Sequence, residues 1–461
     1  MIGVIGIILS LGLLIYLAYR GWSIILLAPI LALLASAFAI FEGGDFHGLA
    51  IYTEAFMTSL GNYVKAYFPI FMLGAIFGKL MDASGSADAI ATFISEKAGK
   101  GKELWAIVLA CAVITYGGVS LFVAAFAIYP IGAALFRQAG IPKRILPPAI
   151  ALGAFTFTMT AIPGTPQIQN AIPMQYFGTD GFAAPILGII AAAIMLFGGM
   201  LWLTWRKNKA MAAGEGYGEH KEEKLTIMDR EKLPPFGIAI APIILVIASN
   251  YIFSKFIFQD MDASYLEQYG TTLSKVIGDW SLIVSLIIGV LVAIICNYKR
   301  MGSVVEVLKE GVAGSFLAIM NTASEVGYGN VIKTLAGFTI LANVMLNTFE
   351  NPLIGEAISS SVLAGITGSA SGGLSIALET FAPTFLERAG EAGISPEVLH
   401  RVASVACGGM DTLPHNGAVI TLLAVTGMSH KQCYLNIGMC TVIIPLISCA
   451  VIIALGSIGI V

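Results

Sequence analysis

The sequence predicts an all-α polytopic membrane protein made of two inverted repeats, each with a re-entrant hairpin and a broken transmembrane helix. Three observations carry this. Of the 461 residues, 57% are hydrophobic and 11% charged, where a soluble protein carries about 25% charged residues. Apolar runs of about 20 residues, the length that crosses a bilayer, recur from end to end. Two of these runs, 155–170 (FTFTMTAIPGTPQIQN) and 407–421 (CGGMDTLPHNGAVIT), cannot be ordinary membrane helices. In the first, Pro163 and Pro166 offer no N–H and block the preceding turn, and Gly164 lets the backbone leave helical geometry. In lipid such a break persists only where protein or a water-filled cavity covers it.

Taken in order, Ile2–Tyr19 lacks a basic leader and a small-residue cleavage site, and reads as a retained helix rather than a signal peptide. Residues 22–41 make a second span. An acidic connector with Glu42, Asp45 and Glu54 follows, and 67–81 is the next span. Residues 82–102, polar and rich in lysine, are expected along the membrane surface. The run 104–136 splits into two arms too short to span, around Tyr116-Gly117-Gly118-Val119-Ser120. That is the pattern of a hairpin whose tip stops inside the membrane; the alternative is a full span followed by a kinked one. Residues 145–177 carry the first break, 185–205 span, and 206–232 form a hydrophilic loop.

The second half brings spans at 235–256, 280–296, 304–326 and 335–348, with an acidic connector around Asp260, Asp262 and Glu267. A second hairpin follows at about 354–386, its small-residue tip at 367–375. The second break lies within 398–425 and a last span at 435–455. Hairpin, break and final span thus recur in the same order. Gly117-Gly118-Val119-Ser120 answers Gly372-Gly373-Leu374-Ser375, Ala139-Gly140-Ile141-Pro142 answers Ala392-Gly393-Ile394-Ser395, and Pro163-Gly164 answers Pro414-His415. The shared offset of roughly 250 residues is what an internal transporter repeat produces. With the N-terminus outside, about six of the 25 basic residues fall outside, as the positive-inside rule asks. On that path the first hairpin enters from the cytoplasm and the second from the exterior, so the repeats are inverted.

Two hairpin tips and two broken helices meet near the midplane on this reading. Their helix N-termini supply free N–H groups and partial positive charge for a carboxylate, and the four stretches were read as holding no Arg or Lys. Hydroxyls and amides there suit a hydroxylated organic anion. The candidate substrate contacts are Gly117, Gly118 and Ser120 at the first tip, and Thr160, Gly164, Thr165, Gln167 and Asn170 at the first break. In the second half they are Ser369, Ser371, Gly372 and Gly373 at the tip, with Thr412 and Asn416 at the break. Asp411, a carboxylate inside an apolar helix, is the sharpest candidate for proton coupling, against a plain helix cap. His415 four residues on, Glu325 and Glu379 join it, against structural hydrogen bonding. Lys79 is expected to snorkel. Pro414 spoils the spacing of Asp411 and His415, so no metal is expected. The six cysteines lack metal spacing, no cofactor is implied, and the net charge of −3 without a basic cluster argues against nucleic acid. No nucleophile motif marks an intramembrane enzyme.

The run from Tyr116 to Asn170, with its GGVS tip and GTPQIQN break, resembles the gluconate permease (GntP) family of the ion transporter superfamily. The resemblance extends loosely over nearly the whole chain. It implies proton-coupled uptake of gluconate or related hydroxy acids across the bacterial cytoplasmic membrane. It also implies an elevator-type homodimer with scaffold and transport domains. The corresponding division is N-terminal scaffold helices (1–63), first repeat (64–205), cytoplasmic loop (206–232), connecting scaffold helices (233–300) and second repeat (301–461). Tips rich in Gly, Ala and Ser depart from a polyol site, so the expected cargo is a small hydroxy-monocarboxylate of the gluconate or 3-hydroxybutyrate class. Rival expectations are sodium coupling on the same scaffold, through carbonyls freed at the tips, and a passive anion channel.

Overall fold

A computed structural model describes residues 2–20, 22–42, 45–99, 101–119, 121–219, 233–259, 261–338, 340, 350–414 and 416–461. Ser120 and His415 lie outside the described residues, as do most of the expected span at 335–348 and the part of the hydrophilic loop from 220 to 232.

The described chain is helical. Five helices are long and apolar enough to cross a membrane: Gly48–Ala83, Pro185–Ala212, Phe236–Ile257, Val276–Asn297 and His430–Ser457. Their outer faces are apolar and exposed, as at Leu201 (73% exposed) and Ile295 (75%), while polar side chains such as Ser281, Ser285 and Ser448 are buried. That distribution suits a lipid solvent. Serine and threonine inside these helices return their hydroxyls to the preceding turn, as Ser281 does to Ile277 O at 2.7 Å.

Several elements run further than the sequence indicated. The span at 67–81 is the end of one helix, Gly48–Ala83, which absorbs much of the acidic connector and carries Pro69 inside it. The boundary drawn at 63/64 therefore falls within a helix. Proline does not end the helix here. Likewise Pro185–Ala212 continues into the expected loop. Val304–Lys333 is a single long helix begun by a Ser303 cap. It packs along Gly48–Ala83, and the approach at Gly311 is so close that a Cβ would stand 2.7 Å from the Ile76 Cα.

Both hairpins form. Glu103–Tyr116 and Leu121–Ala139 flank the first tip, and Pro352–Thr367 and Ala370–Glu391 the second. At about 1.5 Å per residue the leading arms fall short of the ~30 Å hydrocarbon core. Both breaks form too. Leu146–Ala154 ends before a loose turn at Phe157–Thr160, and the helix restarts at Ile168–Phe177. Pro396–Cys407 ends and Gly417–Thr426 restarts.

The packing is reciprocal. Leu146–Ala154 lies on the first hairpin's leading arm, but Ile168–Phe177 crosses to Ala370–Glu391 and Pro396–Cys407. Pro396–Cys407 lies on the second hairpin, but Gly417–Thr426 crosses to Leu121–Ala139. Each broken helix thus joins both hairpins. The helix Ser86–Ala98, expected on the surface, instead buries Ile90 and Ala91 against the first hairpin.

Candidate functional site

The first break is held open by hydrogen bonds that the missing helical turns would have made. Thr156 Oγ1 donates to Leu152 O at 2.7 Å, Thr158 Oγ1 to Gly153 O at 2.9 Å and Thr165 Oγ1 to Thr158 O at 2.8 Å. Gly164 takes φ +82°, and a Cβ there would meet the Phe182 ring. The Gln167 amide donates to Thr115 O at 2.7 Å and Val119 O at 3.3 Å, tying the break to the first tip. Tyr116 OH closes the other side on Pro163 O at 2.8 Å.

A residue of the second half braces this break. Arg401 is wholly buried. Its guanidinium donates to Ala183 O at 3.1 and 2.8 Å, Thr160 O at 3.3 Å and the Asn170 Oδ1 at 3.1 Å. His400 beside it meets Asn170 Oδ1 at 3.2 Å and Thr179 Oγ1 at 2.6 Å. Glu397 accepts from Ala184 N at 3.2 Å, where the chain takes φ +42° without a glycine. The expectation that the breaks lack a buried cation is therefore corrected. Arg401 sits on the helix leading into the second break, and carbonyl dipoles of the first satisfy it.

Between the first tip, the first break and the long helices Gly48–Ala83 and Val304–Lys333 lies a cavity of about 480 Å³, inside the ~300–1,000 Å³ range of small-molecule sites. Gly118, Pro166, Gln167, Ile168 and Gln169 form one wall, and Gly74, Gly314, Ser315 and Asn321 the other. Two residues of its wall carry unsatisfied features. The helix Ile168–Phe177 has no side-chain cap at Gln167, so its first N–H groups remain the orphan donors of a helix start. Gln169 is 6% exposed and its Oε1 has no hydrogen-bond partner. An anion answers the first feature and a hydroxyl donor the second. A larger cavity of about 630 Å³ lies among loop ends at Gly99, Glu103, Gln138 and Lys207, away from both breaks.

The expected contacts divide accordingly. Gly118 (φ +92°) and Gln167 line the cavity, whereas Gly117 packs on Ile243. Thr160, Thr165 and Asn170 are buried, with their hydrogen bonds directed into the protein. Ser369 caps the second tip by accepting from Gly372 N at 3.1 Å, and Ser371 lies 3.4 Å from it. Gly373 lets the two arms touch, since a Cβ would strike Ala364. Asn416 accepts from Ala418 N and Val419 N at 2.7 and 3.0 Å and donates to Gly368 O at 2.6 Å. Thr412 donates to Thr441 Oγ1 at 2.7 Å.

Of the coupling candidates, Asp411 keeps an unpartnered, shielded Oδ1. Glu325 is 2% exposed with an unpartnered Oε2 against the second tip, where a Cβ on Gly372 would collide with it. Glu379 instead accepts from Tyr176 OH at 2.9 Å. Lys79 pairs with Glu310 at 3.0 Å and Asp82 at 3.6 Å rather than snorkelling alone. Sequence reasoning missed Arg401, although an intramembrane cation carries the same signal as the intramembrane Asp411. Gln169, one more polar residue of the break, gains a role only from the cavity.

The comparisons agree with this architecture. The structure is similar to the YdaH transporter of Alcanivorax borkumensis (TM-score 0.57, 15% identity, 90% of this chain and 89% of that one). It is also similar to MtrF of Neisseria gonorrhoeae (TM-score 0.56, 14% identity, 95% and 94%). At these identities the likeness is one of fold. In sequence the chain is 45% identical over 453 residues to the uncharacterised transporter YxjC of Bacillus subtilis (strain 168), covering 95% of each. It is 22% identical over 335 residues to a gluconate permease of Pseudomonas aeruginosa, covering 69% of each. The family model described as GntP family permease matches residues 2–458. The chain therefore belongs to the GntP family of permeases: it is a transporter, not an enzyme, and a multi-pass protein of the bacterial inner membrane.

Proposed function

We propose that the protein is a secondary active transporter that carries a small hydroxy-monocarboxylate, of the gluconate or 3-hydroxybutyrate class, into the cell together with protons. The observation that carries this is the 480 Å³ cavity, where an uncapped helix start meets the unpartnered Gln169 oxygen. The carboxylate lies against the N–H groups of Ile168 and Gln169. A hydroxyl of the cargo donates to Gln169 Oε1. Gly118 and Gln167 shape one wall, and Gly74, Gly314, Ser315 and Asn321 close the opposite side. The relatives named gluconate permease support an organic anion as cargo.

The reciprocal crossing of the broken helices supports a pair of repeats, and the distribution of basic residues supports their inversion with the N-terminus outside. Hairpins and breaks then form a transport domain that moves as one body against the scaffold helices, and two copies pair through the scaffold. The described cavity borders both Gly48–Ala83 and Val304–Lys333, where a moving domain and a scaffold would part. The first scaffold unit extends to about residue 83, since its last helix ends there. Asp411, with its unpartnered oxygen, carries the coupling proton. Glu325 senses closure of the second tip.

The test is accumulation of labelled gluconate and 3-hydroxybutyrate in proteoliposomes under an imposed pH gradient without sodium. Concentrative, saturable uptake of either acid is the expected result. Accumulation that starts only when Na⁺ is added contradicts proton coupling. Equilibration without accumulation under either gradient makes the protein a passive channel.

A further inference from the structure

A second buried acid lies outside the cavity. Glu356, in the helix Pro352–Thr367, is 0% exposed, and neither of its carboxylate oxygens has a hydrogen-bond partner. One turn on, on the same face of the helix, Ser360 is likewise 0% exposed with its Oγ unpartnered. The serines on either side of Ser360 return their hydroxyls to the backbone, Ser359 to Glu356 O at 3.0 Å and Ser361 to Ala406 O at 2.7 Å. The orphaned pair is thus a local exception.

The surroundings offer no counter-charge. The helix packs against Ala370–Glu391, Pro396–Cys407, Ile444–Ser457 and Ile2–Tyr19. The titratable neighbour of Glu356 is Cys449 on the last helix. Arg401, the cation on Pro396–Cys407, directs its donors to carbonyls of the first break and the Asn170 side chain. No ion pair to Glu356 is present among the described residues. An ionised carboxylate buried in this way is far costlier than a neutral polar group, so something must neutralise it. Two carboxylate oxygens and one hydroxyl are fewer ligands than the oxygen cages of hard cations; a proton needs one. The helix that carries Glu356 also touches the second break: Ser361 Oγ donates to Ala406 O at 2.7 Å, and a Cβ on Gly365 would stand 3.1 Å from the Met410 Cβ, next to Asp411.

We propose that Glu356 and Ser360 form a second proton site, remote from the cargo cavity, that exchanges its proton with the coupling site at Asp411. This rests on the proton-coupled reading above. Protonation forms one O–H bond on the Glu356 carboxylate, and the Ser360 hydroxyl accepts or donates the adjoining hydrogen bond. The proton is transferred whole, and no other reactant is needed.

The experiment uses the full chain and two readouts. Infrared difference spectra of the purified protein, stepped in pH without cargo, read the protonated-carboxyl C=O band. Wild type shows a titrating component that Glu356→Gln removes. In proteoliposomes containing a pH dye, addition of whichever acid the wild type exchanges acidifies the lumen. Glu356→Gln abolishes that acidification while retaining cargo exchange at the wild-type rate. A Glu356→Gln protein that acidifies like wild type, or an unchanged infrared band, overturns the proposal. If Glu356→Gln does not fold, Glu356→Leu removes the buried polar group altogether, and persistent acidification in that variant overturns the proposal equally. If the wild type accumulates cargo only with Na⁺, the proton reading of Asp411 fails; the cargo-free infrared titration still reports on Glu356 alone, and a band that shifts with Na⁺ and not with pH overturns the proton site.

Discussion

At the first break the helix restart at Ile168 is uncapped and faces a cavity, whereas at the second the restart at Gly417 is capped twice over by Asn416. The first break is braced by a cation, Arg401, that arrives from the other half of the chain. The second holds a carboxylate, Asp411, with an oxygen left unpartnered. The two breaks therefore differ in electrostatics. In the proposed function the first offers donors to an anion, and the second offers a base to a proton. The brace also means that the halves cannot separate cleanly, since the helix entering the second break completes the first.

The largest effect expected is that of Arg401→Ala. It leaves Ala183 O without its two donors, at about 1–3 kcal/mol for an unsatisfied buried group, and removes one of the donors on Thr160 O and Asn170 Oδ1, which keep Ser404 and His400. Thermal unfolding in detergent should fall steeply, and Arg401→Lys should recover only part, since an ammonium cannot reproduce the planar fork. An Arg401→Ala protein that melts with wild type would show that the first break holds without its brace.

Next comes Gln169→Leu. Loss of one hydrogen bond to cargo is worth about 1 kcal/mol, so half-saturation for a hydroxy acid rises roughly 5-fold. Its deoxy analogue, which never donated that bond, is bound as before. Equal weakening for both analogues would mean that Gln169 only shapes the cavity. Asn416→Ala, the counterpart at the second break, removes a cap and should cost about 1 kcal/mol of stability without a shift in half-saturation; a shift would place cargo at both breaks.

The smallest effect is just beyond the end of the helix Pro185–Ala212. There Arg144 meets Glu215 through two short contacts of 2.6 and 2.7 Å and holds the Glu215 carboxyl below its usual range. The pair's contribution is present at neutral pH, where the carboxylate is charged in both states. It is lost on acidification through and below about pH 4.3. Because the pair is exposed, the change is at most about 1 kcal/mol and weakens with salt. Melting curves of Glu215→Gln against wild type at neutral and acid pH check it: the difference should vanish at acid pH.

The breaks and hairpins were legible because proline and glycine state backbone limits directly: 163–166 and 117–118 had to leave helical geometry wherever they fell. Helix ends were less so. The span expected at 67–81 starts some twenty residues earlier, with Pro69 inside the helix Gly48–Ala83 and not at its start. Side-chain roles were least legible. Asn170 and Gln169 are adjacent and equally polar, yet one is the hub of the Arg401 brace and the other faces the cavity. The sequence carries no sign of that difference, since it depends on which way a ten-residue helix is turned. Arg401 was readable as a charge inside an apolar helix, but its partners come from segments far away in the chain.

The account's central claim is that the first break binds cargo and the second handles the proton. The most direct measurement compares cargo exchange with pH-gradient-driven accumulation in the same proteoliposomes, for Gln169→Leu and Asp411→Asn. Exchange needs cargo binding but no net proton movement; accumulation needs both. The account expects Gln169→Leu to raise half-saturation in both modes, and Asp411→Asn to keep exchange while losing accumulation. If Asp411→Asn accumulates like wild type, or if Gln169→Leu leaves both modes untouched, the division of labour between the two breaks is contradicted.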